Sequence, residues 1–376
     1  MNERILALAK KLSQKDPKRL QMVIGFDGFV DEIIHAVDKR QSTTAFTRIE
    51  TISAFAKRIE RASGLSTNIE LVPALKKLGG NGPIMANALA MHQAKMAYVG
   101  ALGTPSIEDV FLPMQKSATL YSFANPGHTD ALEFDDGKLL LGKTVTMNDI
   151  TYERLIESLG EAKLIELLAQ ADLFATVNWS MLPYMTDLWR KLNDKLLPKL
   201  PKSAKKRHFF VDLADPEKRD SKDIREALDL LKRFKQTHFV VLGLNKKEAY
   251  DVAKVLDLFD HPSLESMQVS LEDLNRALYD YLKINAVVIH PVDRSCTVVE
   301  GVYAEAMGPY VAKPKLTTGA GDNFNAGFML GLLLNLEPEE ALLTGMGTSG
   351  FYVRNAHSPS TQELIHFLGE WGQVRV

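Results

Sequence analysis

Four short segments of this 376-residue chain carry residue types suited to holding an anion or moving a proton. The densest is Leu316-Thr317-Thr318-Gly319-Ala320-Gly321-Asp322, which runs straight into the helix-forming stretch 323–328. Small residues ahead of a helix let backbone N–H groups turn toward a ligand at its positive end, which suits an anion. Asp322 reads either as a proton acceptor or as an N-cap. The cap accounts for the aspartate and leaves Gly-Ala-Gly unexplained. The run is not a Walker A loop, because no Gly-Lys-Ser/Thr follows, and Phe324 stands where a dinucleotide fingerprint needs its third glycine. A second segment, Leu78-Gly79-Gly80-Asn81-Gly82, leads into the apolar helical stretch 83–93 and by itself is an ordinary turn before a helix. A third, Asn245-Lys246-Lys247-Glu248, is a capping box, or else a carboxylate set to order the water around a hard divalent cation. The fourth, Gly25-Phe26-Asp27-Gly28-Phe29-Val30-Asp31-Glu32, holds two aspartates, of which Asp27 also reads as a turn former before Gly28.

The elements that must position these segments follow from hydrophobic spacing. Stretches 22–26, 96–102, 172–178, 208–213, 238–242 and 286–290 are apolar at consecutive positions, as strands covered on both faces are. Between them, 221–235, 246–256 and 271–283 carry apolar residues at three- and four-residue spacing, the mark of amphipathic helices. Repeated strand-helix-strand units imply a mostly parallel sheet with helices on both faces. The segment 129–142 breaks that rhythm, with strand-like runs either side of Asp135-Asp136-Gly137, a hairpin signal. It reads as a flap over the sheet or as a decorative edge hairpin.

Composition removes several classes. Forty-five basic against 47 acidic residues give a net charge of -2, which argues against nucleic-acid partners held by phosphate neutralisation. The single cysteine, Cys296, excludes an internal disulfide and a cysteine-cluster zinc site, and reads as a small buried hydrophobe. The first fourteen residues lack a signal peptide's apolar core, and the apolar stretch 324–336 is too short to span a bilayer, so a cytoplasmic protein without membrane contact is expected.

In order and spacing, these segments resemble those of the ribokinase-like, or PfkB-type, carbohydrate kinases. The resemblance implies a three-layer α/β/α fold with a mostly parallel central sheet. It implies one domain over 1–376, with a small β lid formed near 31–70 and 129–142 that also supplies a homodimer contact. It implies ATP-dependent transfer of the γ-phosphate to a hydroxyl of a sugar or sugar-like substrate, with Mg2+. Asp322 would be the general base, and the N–H groups of Gly319, Ala320 and Gly321 an anion hole. Gly79, Gly80, Asn81 and Asp31 would meet the sugar, with Asp27 as the rival of Asp31. Asn245, Glu248 and Thr318 would serve the nucleotide, Glu248 reaching the metal through water.

Three positions depart from the family pattern. Ile84 stands where a second sugar-contacting asparagine is usual. Leu316 replaces the aspartate that opens the C-terminal signature and often helps to hold an activating potassium ion. His290-Pro291-Val292 replaces a Thr/Ser-x-Gly that touches nucleotide phosphates, and His290 itself reads as a strand-end surface histidine. These departures keep one alternative open, a sugar-binding or regulatory protein with a degraded nucleotide site. An NAD-dependent oxidoreductase is remote without the dinucleotide fingerprint. The acceptor is not fixed, since pentoses, hexoses, keto-deoxy acids and nucleosides all serve this family.

Overall fold

A computed structural model describes residues 2–202, 205–260 and 268–373, with Pro262, Leu264 and Ser266 between the last two stretches. Its frame is a nine-stranded sheet. From one edge the order is Val302–Met307, Arg294–Val299, Ala286–Ile289, Phe239–Leu244, His208–Asp212, Leu173–Thr176, Gln21–Gly25, Lys95–Gly100 and Ala118–Ser122. All neighbours are parallel except at the first edge, where Arg294–Val299 pairs antiparallel on both sides.

The consecutive apolar residues of the inner strands have the expected cause. Val23 packs into one core and its neighbours Met22 and Ile24 into another, and Val240 and Leu242 divide from Phe239 and Val241 in the same way. Alternate side chains point to opposite faces, so a strand must be apolar throughout when helices cover both. Helices Ser221–Phe234, Lys246–Val255 and Leu271–Leu282 bury their apolar stripes on one face. Helices Asn81–Ala90, Ala320–Leu333 and Pro338–Asn355 cover the other.

A second, five-stranded sheet contains the expected hairpin, as Gly127–Phe134 and Gly137–Lys143. The long strand Phe29–Arg40 pairs parallel with Gly127–Phe134 and antiparallel with both Phe46–Arg48 and Leu71–Gly79. Helix Ile52–Glu60 packs Phe55 against Leu132, Phe134 and Ala36 to give this sheet its own small core. Among the described residues, no helix is long and apolar enough to cross a membrane.

The strand order dictates where a ligand can bind. From Gln21–Gly25 the chain first adds strands on one side, Lys95–Gly100 and Ala118–Ser122, then returns to add Leu173–Thr176 and its successors on the other. At such a reversal the two outgoing connections diverge and leave a crevice beyond the carboxyl ends of the strands.

Candidate functional site

That crevice is a polar cleft of about 420 Å3. Strand Gln21–Gly25 ends just before Asp27, whose carboxylate is completely buried behind the cleft wall. Its oxygens accept from the N–H of Asn81 at 3.0 Å, the N–H of Gly82 at 2.9 Å and Asn178 Nδ2 at 2.8 Å. Helix Asn81–Ala90 has no side-chain cap of its own, because its N-cap is Gly80 at φ 95. Asp27 supplies the missing acceptor and an anion at the positive helix end. Burial lifts its pKa to about 6, against these hydrogen bonds, which lower it. Asp27 is therefore a brace, and Asp31 is the aspartate that lines the cleft. Parallel and antiparallel registers set Thr129 and Lys77 beside Asp31. Burial raises its pKa, while the Thr129 hydroxyl and the Lys77 charge pull it down.

The brace aims the next residue. Asn81 Nδ2 donates to Asp322 Oδ1 at 2.9 Å, joining the first and last segments across 241 positions of sequence. Asp322 lies in the first turn of helix Ala320–Leu333, behind Gly319 at φ 87, a left-handed turn that costs glycine little. Buried on the cleft floor, it is pushed up to about 7, chiefly by burial, with Asp27 and Glu248 adding repulsion and Asn81 opposing. A carboxyl there can exchange a proton near neutral pH. Gly319 and Gly321 line the polar cleft. The N–H of Ala320, one of the three donors expected for an anion hole, instead donates to the Thr317 carbonyl at 3.1 Å.

Asn245 and Glu248 form the capping box in full. Asn245 Oδ1 accepts from the Glu248 N–H at 2.9 Å, and Glu248 Oε2 accepts from the Asn245 N–H at 2.8 Å. The bland reading of this pair is thus real, yet the buried Glu248 carboxylate also lines the cleft. It faces a residue that sequence reasoning missed, Asp212, at the end of strand His208–Asp212. Asp212 is raised well above the carboxylate range by burial and by repulsion from Glu248 and Asp322. Its oxygens accept from Ala214 N–H at 2.8 Å and Asn325 Nδ2 at 2.7 Å, and Glu248 Oε1 accepts from Asp215 N–H at 3.0 Å. Each of these four oxygens keeps a lone pair, and mutual repulsion is what a divalent cation relieves. The pair therefore fits Mg2+ held largely through water and phosphate, the habit of that ion. No tight group of three or more ligating side chains exists among the described residues.

Asn178 was also missed. It follows strand Leu173–Thr176 in the left-handed conformation, spends Nδ2 on Asp27, and keeps a buried Oδ1 without a partner on the cleft. Its signal was its place at the end of a buried strand beside the reversal of strand order.

A second cleft, about 370 Å3 and mostly apolar, adjoins the first across Asn245, His290 and Gly321. Pro291, Val292, Pro309, Tyr310, Met346 and Val353 line it, with Ala320 on its inner wall. Three expectations change here. His290 is not a surface histidine, since its ring lies against Phe324 and lines both clefts. Thr318 lines neither cleft: it is exposed with its carbonyl held by Tyr352 Oη at 2.8 Å, and Thr317 lines the apolar cleft instead. Gly79 lies beneath the Asp31 carboxylate and does not reach the cleft, whereas Gly80 and Asn81 do. Ile84 packs toward Gly319.

A family model described as prokaryotic ketohexokinase matches residues 4–371. The ketohexokinase of Haloferax volcanii is 28% identical over 371 residues, covering 97% of this chain and 96% of that protein. Among solved structures, a carbohydrate kinase from Agrobacterium tumefaciens superposes with a TM-score of 0.63 at 15% identity, covering 93% of this chain and 97% of that one. An Arabidopsis thaliana ribokinase complexed with ribose and ATP gives 0.61 at 14%, covering 93% and 98%. Thermotoga maritima ribokinase gives 0.58 at 16%, covering 93% and 99%.

Proposed function

Because the chain belongs to the prokaryotic ketohexokinase family and is an ATP-dependent sugar kinase, we propose that it phosphorylates a ketohexose in the polar cleft while ATP occupies the apolar one. The observation that carries this reading is the 2.9 Å bond from Asn81 to Asp322. It holds the Asp322 carboxylate in the polar cleft, next in sequence to Gly321, which lines both clefts. Asp322 takes the proton of the attacking hydroxyl as the new P–O bond forms and the bond to ADP breaks. Asn81 holds the carboxylate in one orientation and stabilises its ionised form. The free N–H groups of Gly319 and Gly321 meet the transferring phosphoryl, charge stabilisation being the main demand of this chemistry. Mg2+, when bound near Asp212 and Glu248, supplies neutralisation of phosphate charge.

Asp31, Asn178 and Thr129 offer the hydrogen-bonding groups that a polyol needs. The cleft carries five carboxylates, Asp31, Asp212, Asp215, Glu248 and Asp322, against the single cation Lys218 among its described residues. With one cation and several carboxyl groups, the lining offers an anionic acceptor little to pair with, so an uncharged sugar fits better than a keto-deoxy acid. The five-stranded sheet carrying Asp31 and Thr129 acts as the lid that keeps water from the phosphoryl group. ADP release measured across ketohexoses, aldohexoses, pentoses, keto-deoxy acids and nucleosides tests this reading. Highest kcat/KM with a ketohexose is expected, and a preference for a nucleoside or an acidic sugar would overturn it.

A further inference from the structure

Lys218 is the one lysine or arginine among the described lining residues of the polar cleft, set against five carboxylates. Its place in the fold is central. It follows strand His208–Asp212, which lies between Phe239–Leu244, the strand that leads to Asn245, and Leu173–Thr176, the strand that leads to Asn178. Asn245 lines both clefts, and Asn178 the polar one alone. The connection bearing Lys218 therefore enters the cleft between the groups read as serving the nucleotide and those read as serving the sugar.

That connection is pinned on either side of the lysine. Upstream, Ala214 and Asp215 take successive left-handed conformations without a glycine, at φ 55 and φ 59, and the Asp215 N–H donates to Glu248 Oε1 at 3.0 Å. Backbone held in such sparsely populated regions clusters at functional sites. Downstream, the Arg219 guanidinium lies 4.6 Å from the centre of the Trp179 ring and donates to Asp223 and to the carbonyls of Leu182 and Pro183. Neighbouring Lys247 is paired with Glu217 at 2.7 Å and with Asp251 at 3.2 Å. These two cations are engaged in holding structure, and Lys218 is held far more loosely. Its Nζ is 3.2 Å from Asp215 Oδ2 and 3.8 Å from Met181 Sδ, both residues of the cleft wall. The Lys218 and Asp215 side chains are 51% and 47% exposed, and a pair so open to water is weak and gives way readily to a phosphate.

Transfer to an uncharged sugar creates an anion among carboxylates, so the arriving phosphoryl group meets repulsion from most of the wall. Stabilising that charge is the main demand of the reaction. Resting on the kinase reading of the two clefts, we propose that Lys218 is a further catalytic residue, its ammonium leaving Asp215 to meet the oxygens of the phosphoryl group as that group reaches the acceptor. The acceptor oxygen bonds to phosphorus, the bond from phosphorus to ADP breaks, and the acceptor's proton goes to Asp322. Lys218 moves no proton and supplies charge alone. The uncharged sugar does not engage it; the phosphorylated product does.

The test compares Lys218→Met, which keeps the stem and removes the charge, with Lys218→Arg, which restores the charge. The Met variant is expected to lose about 10- to 100-fold in kcat, the scale of one hydrogen bond to a charged group, with sugar KM within about twofold. Inhibition by the phosphorylated product, purified from the wild-type reaction, should weaken at least about tenfold on the same scale. The Arg variant should regain most of both losses, and the melting temperature should hardly move in either, since the half-exposed ion pair contributes little. A Met variant with kcat close to wild type, or product inhibition unchanged, or Arg no better than Met, would overturn the assignment. So would sugar and product affinities falling together, which would make Lys218 part of the sugar pocket. Wild-type turnover that disappears in Asp322→Asn keeps the kinase reading standing in each of those cases, whereas wild type that phosphorylates no sugar would overturn both.

Discussion

The two clefts meet at Asn245, His290 and Gly321 yet are built on opposite principles. The polar cleft gathers carboxylates whose pKa values are raised first by burial and further by neighbouring carboxylates, so its buried groups hold protons unusually well. The apolar cleft has no carboxylate among its described lining residues and presents proline, valine, methionine and tyrosine surface. On the proposed function the first is the site of chemistry, sensitive to charge and pH. The second is a site of shape, in which affinity comes from buried apolar area. Mutations and pH should therefore divide cleanly between them.

The largest effect is expected at Asp322. Asp322→Asn should lower kcat by at least about 100-fold, the scale of a positioned general base, and leave affinity for an ATP analogue within about twofold. A variant with near-normal kcat and reduced stability would make Asp322 only a helix cap. Wild-type kcat should fall as pH drops through about 7, where Asp322 takes up its proton. Stability gives an independent reading of the same group. A folded-state pKa raised above the unfolded value near 4 contributes stability that is full below that value and lost as pH rises through about 7. The melting temperature of Asp322→Asn relative to wild type should thus rise between pH 5 and pH 8.5. A difference flat across that window would show that Asp322 titrates like a surface carboxylate.

Next come the two aspartates beyond the first strand, which sit four residues apart and do different work. Asp31→Asn should raise sugar KM at least about tenfold, one charged hydrogen bond's worth, with melting temperature nearly unchanged. Asp27→Asn should lower the melting temperature, because two helix N–H groups and Asn178 lose a charged acceptor. Differential scanning calorimetry and sugar titrations on both variants check the pair, and exchanged phenotypes would reverse the assignment.

A smaller effect belongs to Glu248. Gln at this position keeps one acceptor oxygen, enough for the Asn245 N–H, while the Asp215 N–H that the other oxygen now accepts loses its partner. With the capping bond kept, the helix should lose about 1 kcal/mol. Removing the charge opposite Asp212 should raise the magnesium concentration for half-maximal rate. An unchanged magnesium titration would reduce Glu248 to its capping box.

The legible part of this molecule is the part whose residues had no freedom. The buried strands announced themselves because helices cover both faces, and the Asp136-Gly137 turn because few other residues make it. Asp322 and Asn81 stood out beside glycines needed at φ 87 and φ 95. Asp212 and Asn178 did not, because a polar residue closing an apolar run carries no glycine punctuation. His290 was misread because its neighbour Phe324 is 34 positions away. The strand Leu71–Gly79 was invisible because most of its side chains face solvent, which erases alternation. The apolar cleft draws its walls from four separate stretches, none with a pattern of its own.

The smallest effect expected is none at all, and it concerns potassium. An activating cation beside the Gly-Ala-Gly loop needs oxygens, and Leu316 supplies none from its side chain. The structure shows what holds the loop instead. Helix Pro338–Asn355 sends Tyr352 Oη to the Thr318 carbonyl at 2.8 Å and Ser349 Oγ to the Ala320 carbonyl at 2.9 Å. The N–H of Lys315 donates to the Val353 carbonyl at 2.8 Å just upstream. The Thr318 and Ala320 carbonyl oxygens are thereby already paired with hydroxyls, which leaves each with one lone pair fewer for a cation. A cation bound with fewer oxygens also leaves part of its dehydration cost unrecovered. Activity with the preferred sugar should therefore be the same, within about twofold, in potassium and in a bulky organic cation at equal ionic strength. Tyr352→Phe should make the rate more sensitive to potassium, because it frees the Thr318 carbonyl. A tenfold or larger loss of kcat/KM when wild type is moved out of potassium would show that a cation, and not the hydroxyls of Tyr352 and Ser349, sets the loop.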